Sequence, residues 1–428
     1  MSSAGQNIFM KPQIVLIRPY GRDDGGYAIP WGIVNIASYL KKYGYAVTVI
    51  DRKDTHYPIR KIIKDISRNN IAYVGISAMT SQAKDAEFLC NHLKKTKKKI
   101  ILGGFHYSIL PEEGIKIADY VFKGEGELSL LHFLENGPKT RIYESEPLLE
   151  LDEIPLPSEE LISKFYLNRK IFTIMTSRGC PYNCSFCLDK KNKSNKVRYH
   201  SPAYVCDLLE MLTKSFDLKS FFIGDDIFTV NKERVLKICH EIKKRSLKIK
   251  LAAFSHSSIN DLELYKEMKD AGFERLSLGV ESGSDEVLMA MNKQQTVAQA
   301  KETIEIIKKA GLEVTVTFMV GNILETEESL KATLELAKKL DLFGWVSYAQ
   351  PFPGTRFYAV HSQYGRLINH NPKTYWNDRI TFVPSGVSKL KLRYYRDNIT
   401  MALNKGHGYL ITKLINKFYE QVLMKCLR

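Results

Sequence analysis

The chain has 428 residues, of which 44% are apolar and 26% charged, with a formal net charge of +16. That is apolar chain enough for two medium domains or one large one and argues against wholesale disorder. No apolar run reaches the roughly 18 residues of a bilayer span, and seven cysteines, an odd number in so long a chain, argue against a disulfide framework.

The first residues, MSSAGQNIFMKPQIVLI, lack the basic, apolar and small-residue order of a secretory signal, so a cytoplasmic protein is expected. Short β-rich runs follow at Gln13–Arg18, Ala46–Asp51, Ala72–Ser77, Lys98–Gly103 and Asp119–Phe122. They are separated by helix-period stretches such as Gly32–Lys42 and Gln82–Lys95. Continuous apolar strands alternating with helices predict a parallel sheet covered on both faces, a Rossmann-like or flavodoxin-like domain over residues 1–136.

Residues 137–170 are less regular. Pro155 and Pro157 block helix continuation there and place a linker and domain boundary. Alternation resumes with strands expected at Ile171–Ser177, Ser220–Gly224, Lys250–Phe254, Arg275–Val280, Glu313–Val320 and Trp345–Gln350. The intervening helices are expected at Ala203–Lys214, Lys232–Arg245, Ala298–Lys309 and Thr326–Leu340. Six βα units suit a partial (β/α)6 TIM-type barrel over residues 171–360, although periodicity alone fits an open sheet equally. Residues 361–428 read as a C-terminal helical region, basic and aromatic, with a helix over Ser388–Arg428.

The chemistry-bearing motif is Cys180-Pro-Tyr-Asn-Cys184-Ser-Phe-Cys187, directly after the apolar run Ile171–Met175. This places three thiols on a loop at a strand's C-terminal end, where barrel enzymes keep their chemistry. Three thiolates hold three irons of a 4Fe–4S cubane and leave the fourth iron open, as a catalytic zinc keeps one open position. A zinc site completed by His200 is the competing reading, but no second CxxC pair supports it. Cys90, Cys206, Cys239 and Cys426 form no further cluster motif.

The CxxxCxxC pattern with Phe186 before its last cysteine resembles the radical S-adenosylmethionine (radical SAM) superfamily. The resemblance implies that SAM chelates the open iron and is cleaved by one electron to a 5′-deoxyadenosyl radical. A flavodoxin- or ferredoxin-type reductant would supply that electron. By resemblance, Phe186, Asp225 or Asp226 after the second barrel strand, Glu281 or Ser282 after the fourth, and Gly321 after the fifth contact SAM. Asp225 and Asp226 also read as helix N-caps, and Ser284 as the N-cap of the next helix. Met291-Asn-Lys293 belongs to the fourth-strand motif. At the fifth, Asn322, Ile323 and Leu324 depart from the usual Leu-Pro-Gly. Gln350–Thr355 resembles the sixth-strand Pro-Gly-Thr turn.

The first domain resembles the cobalamin-binding domain that precedes this barrel in one subgroup. Pro30–Ile33, Val49–Asp51, Gly75–Ser77, Leu102–His106 and Gly124–Glu127 carry the likeness. The implied cobalamin contacts are Ser77, Thr80, Gly103, Gly104, His106, Gly124 and Glu125. No Asp-x-His-x-x-Gly motif follows the first strand, so a histidine lower ligand to cobalt is not expected. The subgroup's usual outcome is methylation of an unactivated carbon, and cyclases and ring-rearranging enzymes also occur in it. tRNA methylthiotransfer would need a further cysteine triad in the first domain, which holds only Cys90.

The last 41 residues are basic, with an apolar stripe of Tyr394, Tyr395, Ile399, Leu410, Leu414, Phe418 and Leu423. The stripe is compatible with a helix on the barrel or with peripheral contact to an acidic membrane, which would suit a lipid-like small-molecule substrate. The charge also raises a reading of another class, a non-catalytic iron–sulfur sensor or nucleic-acid-binding protein. No nucleic-acid-binding signature supports it, so no specific nucleic acid partner is expected.

Overall fold

The computed structural model describes residues 11–21, 29–52, 57–68, 71–163, 165, 172–188, 196–376 and 378–404. The chain divides into two compact units, residues 1–169 and 170–428.

The first unit is built on six strands: β1 (Gln13–Arg18), β2 (Val47–Asp51), β3 (Ile71–Ser77), β4 (Lys99–Gly103), β5 (Tyr120–Lys123) and β6 (Ile142–Glu144). They form one parallel sheet in the order β2-β1-β3-β4-β5-β6. The helices α1 (Trp31–Lys42), α2 (Ile59–Arg68), α3 (Ala83–Leu93), α4 (Phe105–Ile109) and α5 (Glu127–Asn136) lie between strands in the chain. Strands such as β1, β2 and β4 read as apolar runs because they are buried on both faces. Ile17, Val74, Ile76, Leu102 and Val121 pack with Ile62 and Ile66 of α2 and with Leu89 and Leu93 of α3 in one core.

The strand β6 lies within the stretch read from sequence as linker. It pairs with β5 from Val121↔Ile142 to Lys123↔Glu144. Three residues are too few to show a period. The pairing is fixed instead by tertiary contact, with Tyr143 stacked on Phe122 at 4.6 Å.

The second unit carries β7 (Phe172–Ile174), β8 (Ser177–Arg178), β9 (Arg198–Tyr199), β10 (Ser220–Ile223), β11 (Lys250–Ser255), β12 (Phe273–Glu281), β13 (Glu313–Val320) and β14 (Gly344–Tyr348). All but the small antiparallel pair β8–β9 form a parallel wall in the order β7-β10-β11-β12-β13-β14. Sequential order throughout, with no switch point, is the topology of a barrel segment rather than of a doubly wound sheet. The strand expected over 171–177 is shorter: the chain leaves the wall after Ile174 and pairs again as β8.

The helices are α6 (Pro202–Phe216), α7 (Lys232–Lys244), α8 (Leu262–Asp270), α9 (Val297–Lys309) and α10 (Glu327–Leu340). They are started by Ser201, Asn231, Asp261, Thr296 and Thr326, whose side chains each accept an N-terminal N–H. Beyond the barrel come α11 (Arg356–Tyr364), the antiparallel pair β15 (Gly365–Leu367) and β16 (Phe382–Pro384), and α12 (Lys389–Leu403).

Two residues of the stripe, Tyr395 and Ile399, are used in packing α12. Leu392, Tyr395 and Ile399 are buried, the Tyr395 hydroxyl donates to Glu327 Oε1 at 3.1 Å, and Lys391 pairs with Glu327. Leu410, Leu414, Phe418, Leu423 and Cys426 lie outside the described residues. Among the described residues no helix is long and apolar enough to cross a membrane.

Candidate functional site: a cysteine loop at the barrel mouth and a glycine-lined sheet edge

The cysteine loop leaves β8, and its root is clamped by Asp225 at the end of β10. One Asp225 oxygen accepts the N–H groups of Thr176 and Ser177 at 2.6 and 3.0 Å. The other accepts both hydroxyls at 2.6 Å. Asp225 is fully buried, and four donors fill its lone pairs. Its place is therefore beneath the loop, whereas Asp226 is exposed. Neither is the helix cap, because Asn231 starts α7.

Arg234, which the sequence reading passed over, holds the same root from α7. Its Nη2 donates to the Thr176 carbonyl at 2.8 Å and its Nε to the His200 carbonyl at 3.0 Å. His200 itself is buried and stacked on Tyr204 at 3.9 Å.

The tip of the loop is held by backbone bonds. Ser185 N–H donates to the Met291 carbonyl at 2.8 Å and the Ser185 carbonyl accepts Phe357 N–H at 2.8 Å. Asn292 Nδ2 donates to the Asn183 carbonyl at 2.7 Å. The Met291–Lys293 turn, with Asn292 at φ 52°, thus shapes the loop from below. Phe186 is half-buried and packs against the cluster of Ile323, Phe357 and Phe382.

A buried ion pair lies alongside. Lys293 Nζ is 3.4 Å from Glu281 Oε1, and both side chains are 9% exposed. Burial opposes the Lys293 charge, but Glu281 and the Cys184 and Cys180 thiolates outweigh it and hold the ammonium above the usual lysine range. Glu281 sits at φ 65°, at an irregularity in the β12–β13 register. A non-glycine residue held there marks a site over-determined by its surroundings. Gly279 makes room: a Cβ there would fall 2.8 Å from Lys293 Nζ. Ser282 is spent structurally, fully buried with its hydroxyl 3.2 Å from Ser284 N. Ser284 caps the short helix Asp285–Ala290, as expected.

His256, directly after β11, stacks on Tyr182 of the loop at 3.7 Å. Burial first, and the Lys293 charge second, push the imidazole down to about 3, so the ring is neutral. At the end of β13, Gly321 (φ 85°) and Asn322 donate their N–H groups to Glu325 Oε2. Glu325 thus clamps the turn over Gly321–Leu324 from its own side chain. Burial pushes its carboxyl up to about 7.

The triad suits a cubane. None of its three cysteines is in a disulfide. Burial pushes Cys90 and Cys239 up to about 12 and Cys206 to about 11, keeping them thiols. Among the described residues no three His, Cys, Asp or Glu side chains close on a single ion; in a cubane each thiolate goes to its own iron.

In the first unit the expected contacts gather at the C-terminal sheet edge. Gly104 (φ 85°) is required by packing, since a Cβ would lie 2.7 Å from Ala78 N and 2.8 Å from Ser77 Oγ. Gly103 is not: a Cβ there meets only the Phe122 carbonyl at 3.6 Å. Its lack of a side chain leaves open a strand end that a bulky ligand can approach. Ser77 closes β3 and Thr80 opens the following turn, both half-buried.

Ser108, which sequence reasoning missed, donates to the Gly104 carbonyl at 2.8 Å and accepts Gly124 N–H at 2.9 Å. Ser145 Oγ accepts Glu125 N–H at 2.8 Å. The expected contact His106 departs from this edge. Its ring is 1% exposed and its Nε2 lies 3.7 Å from Glu113 Oε2, because its own N–H is drawn to the Ala78 carbonyl and turns the side chain into the core.

Comparisons with known proteins agree with this layout. The radical SAM superfamily profile matches residues 174–337, and the B12 binding domain profile matches residues 17–134. The chain is 31% identical to an uncharacterised methyltransferase of Pyrococcus horikoshii, over 91% of this chain and 89% of that one. It is 27% identical to the anaerobic magnesium-protoporphyrin IX monomethyl ester cyclase of Rubrivivax gelatinosus, over 78% of this chain and 66% of the cyclase. The fold is shared with the radical SAM methyltransferase TsrM of Kitasatospora setae, solved with cobalamin and a 4Fe–4S cluster. The TM-score is 0.75 at 15% identity, covering 93% of this chain and 90% of TsrM. The chain therefore belongs to the radical SAM enzymes that carry an N-terminal B12-binding domain.

Proposed function

We propose that this enzyme methylates an unactivated carbon of a small molecule, using a 4Fe–4S cluster on Cys180, Cys184 and Cys187, S-adenosylmethionine and cobalamin. The observation that carries the reading is the Cys180–Cys187 loop, whose three thiols, none in a disulfide, are held at the barrel mouth by the Asp225 and Arg234 clamp. Three thiolates for a four-iron cluster leave one corner open for SAM. When bound, the cluster and SAM supply hydrogen abstraction, and cobalamin supplies the methyl group.

The chain's own residues bind and aim. Asp225 and Arg234 fix the loop root, Met291 and Asn292 its tip. Asp226, Glu281 and Gly321 line the strand ends as SAM contacts. Ser77, Thr80, Gly103, Gly124 and Glu125 line the first unit's sheet edge as cobalamin contacts. A flavodoxin- or ferredoxin-type protein supplies electrons. The likeness to a cyclase supports a second outcome, ring closure of the substrate radical without methyl transfer.

Anaerobic reconstitution with iron, sulfide, SAM and methylcobalamin, followed by reduction with dithionite and mass spectrometry of the nucleoside products, tests the reading. Methylation predicts both 5′-deoxyadenosine and S-adenosylhomocysteine, and ring closure predicts 5′-deoxyadenosine alone. Protein that binds no iron and cleaves no SAM would sink both.

A further inference from the structure

Tyr182 lies two residues from Cys180 and two from Cys184, so whatever holds its ring holds the arc of chain between two of the three thiolates. Both ends of the tyrosine are held by one short segment after β11. His256 stacks on the ring with centroids 3.7 Å apart and planes within 13°. The Tyr182 hydroxyl is 2.8 Å from Ser258 Oγ. Ser258 in turn fixes the imidazole: its N–H donates to His256 Nδ1 at 3.2 Å, and its Oγ lies 2.9 Å from the same atom. His256 is 2% exposed, so its ring cannot swing away without opening the barrel end.

We propose that His256 is a positioning residue for the cluster, fixing through Tyr182 the separation of the Cys180 and Cys184 thiolates. The inference rests on the cluster reading above and extends it to a residue outside the cysteine motif. The ring does this as a neutral body, and its flat face covers Tyr182 without bringing a second cation against Lys293. An aromatic of the same shape supplies the stack, and an alanine supplies neither stack nor hydrogen bond.

Iron retention and electron paramagnetic resonance test this without reference to turnover. Wild type, His256→Phe and His256→Ala are reconstituted anaerobically and challenged with a chelator, and the reduced proteins are recorded with and without SAM. Loss of a group that orients metal ligands weakens metal binding by about tenfold or more. His256→Ala is therefore expected to lose iron about tenfold faster and to show a broadened signal that SAM no longer shifts. His256→Phe is expected to recover most of the retention and the SAM-dependent shift. Tyr182→Leu against Tyr182→Phe repeats the comparison from the loop side, should the alanine variant not fold. Alanine and leucine variants that keep wild-type iron and the wild-type SAM response overturn the proposal alone. Wild type that takes up no iron overturns the cluster reading and this inference with it.

Discussion

Asp225 accepts both the backbone N–H and the hydroxyl of Thr176, each at 2.6 Å, across 49 residues of chain. A carboxylate expected at the ligand is instead the anchor of the loop that carries the ligand's metal. Asp225→Ala strands four buried donors and should cost on the order of 3 kcal/mol or more. Asp225→Asn should cost far less, because its carbonyl can take the two N–H groups while both hydroxyls rotate to accept from its amide. Thermal unfolding with iron analysis checks this; equal losses in the two variants would contradict the assignment.

The Lys293–Glu281 pair should behave as a coupled unit. Lys293→Met leaves a buried carboxylate uncompensated, at a cost of about 3–5 kcal/mol. Adding Glu281→Gln removes the stranded charge and should restore much of that. A denaturant double-mutant cycle measures the coupling, and a double variant no more stable than Lys293→Met would show that the two charges do not interact.

Glu325 gives the protein a pH signature. Its carboxyl rises from 4.5 to about 7 on folding. Between those values the folded chain keeps a proton that the unfolded chain has released. The stability from this group is thus complete below pH 4.5 and is lost as pH rises through 7, by about 3 kcal/mol in all. Glu325→Gln should flatten the pH dependence of unfolding over this window. An unchanged slope in the variant would place the titration elsewhere.

The two adjacent glycines should separate stability from ligand binding. Gly104→Ala forces a Cβ into Ala78 at positive φ and should cost about 1–3 kcal/mol. Gly103→Ala meets only ordinary contact, so its stability should stay within about 0.5 kcal/mol of wild type while cobalamin uptake, followed by absorbance, falls. Full cobalamin affinity in Gly103→Ala would remove that strand end from the site.

Much of the architecture was legible in the chain because long buried parallel strands and capped helices leave period and end signals. Gln13–Arg18 and Glu313–Val320 appear in the structure with the bounds their sequence implies. The three-residue β6 and the break at Met175–Thr176 were not legible. The first is too short to carry a period, and the second is imposed by Asp225 and Arg234 reaching in from elsewhere in the chain.

Three thiols within eight residues behind an apolar strand, with the family resemblance they carry, pointed to the cofactor class of this protein. Only the tertiary structure decided which neighbours act on those thiols. It committed Asp225 to the root of the loop and the His106 ring to the core, paired Lys293 with Glu281, and set His256 on Tyr182 of the cysteine loop. The reason is physical: hydrogen-bond saturation and burial depend on groups that are distant in sequence, and no spacing rule reports them.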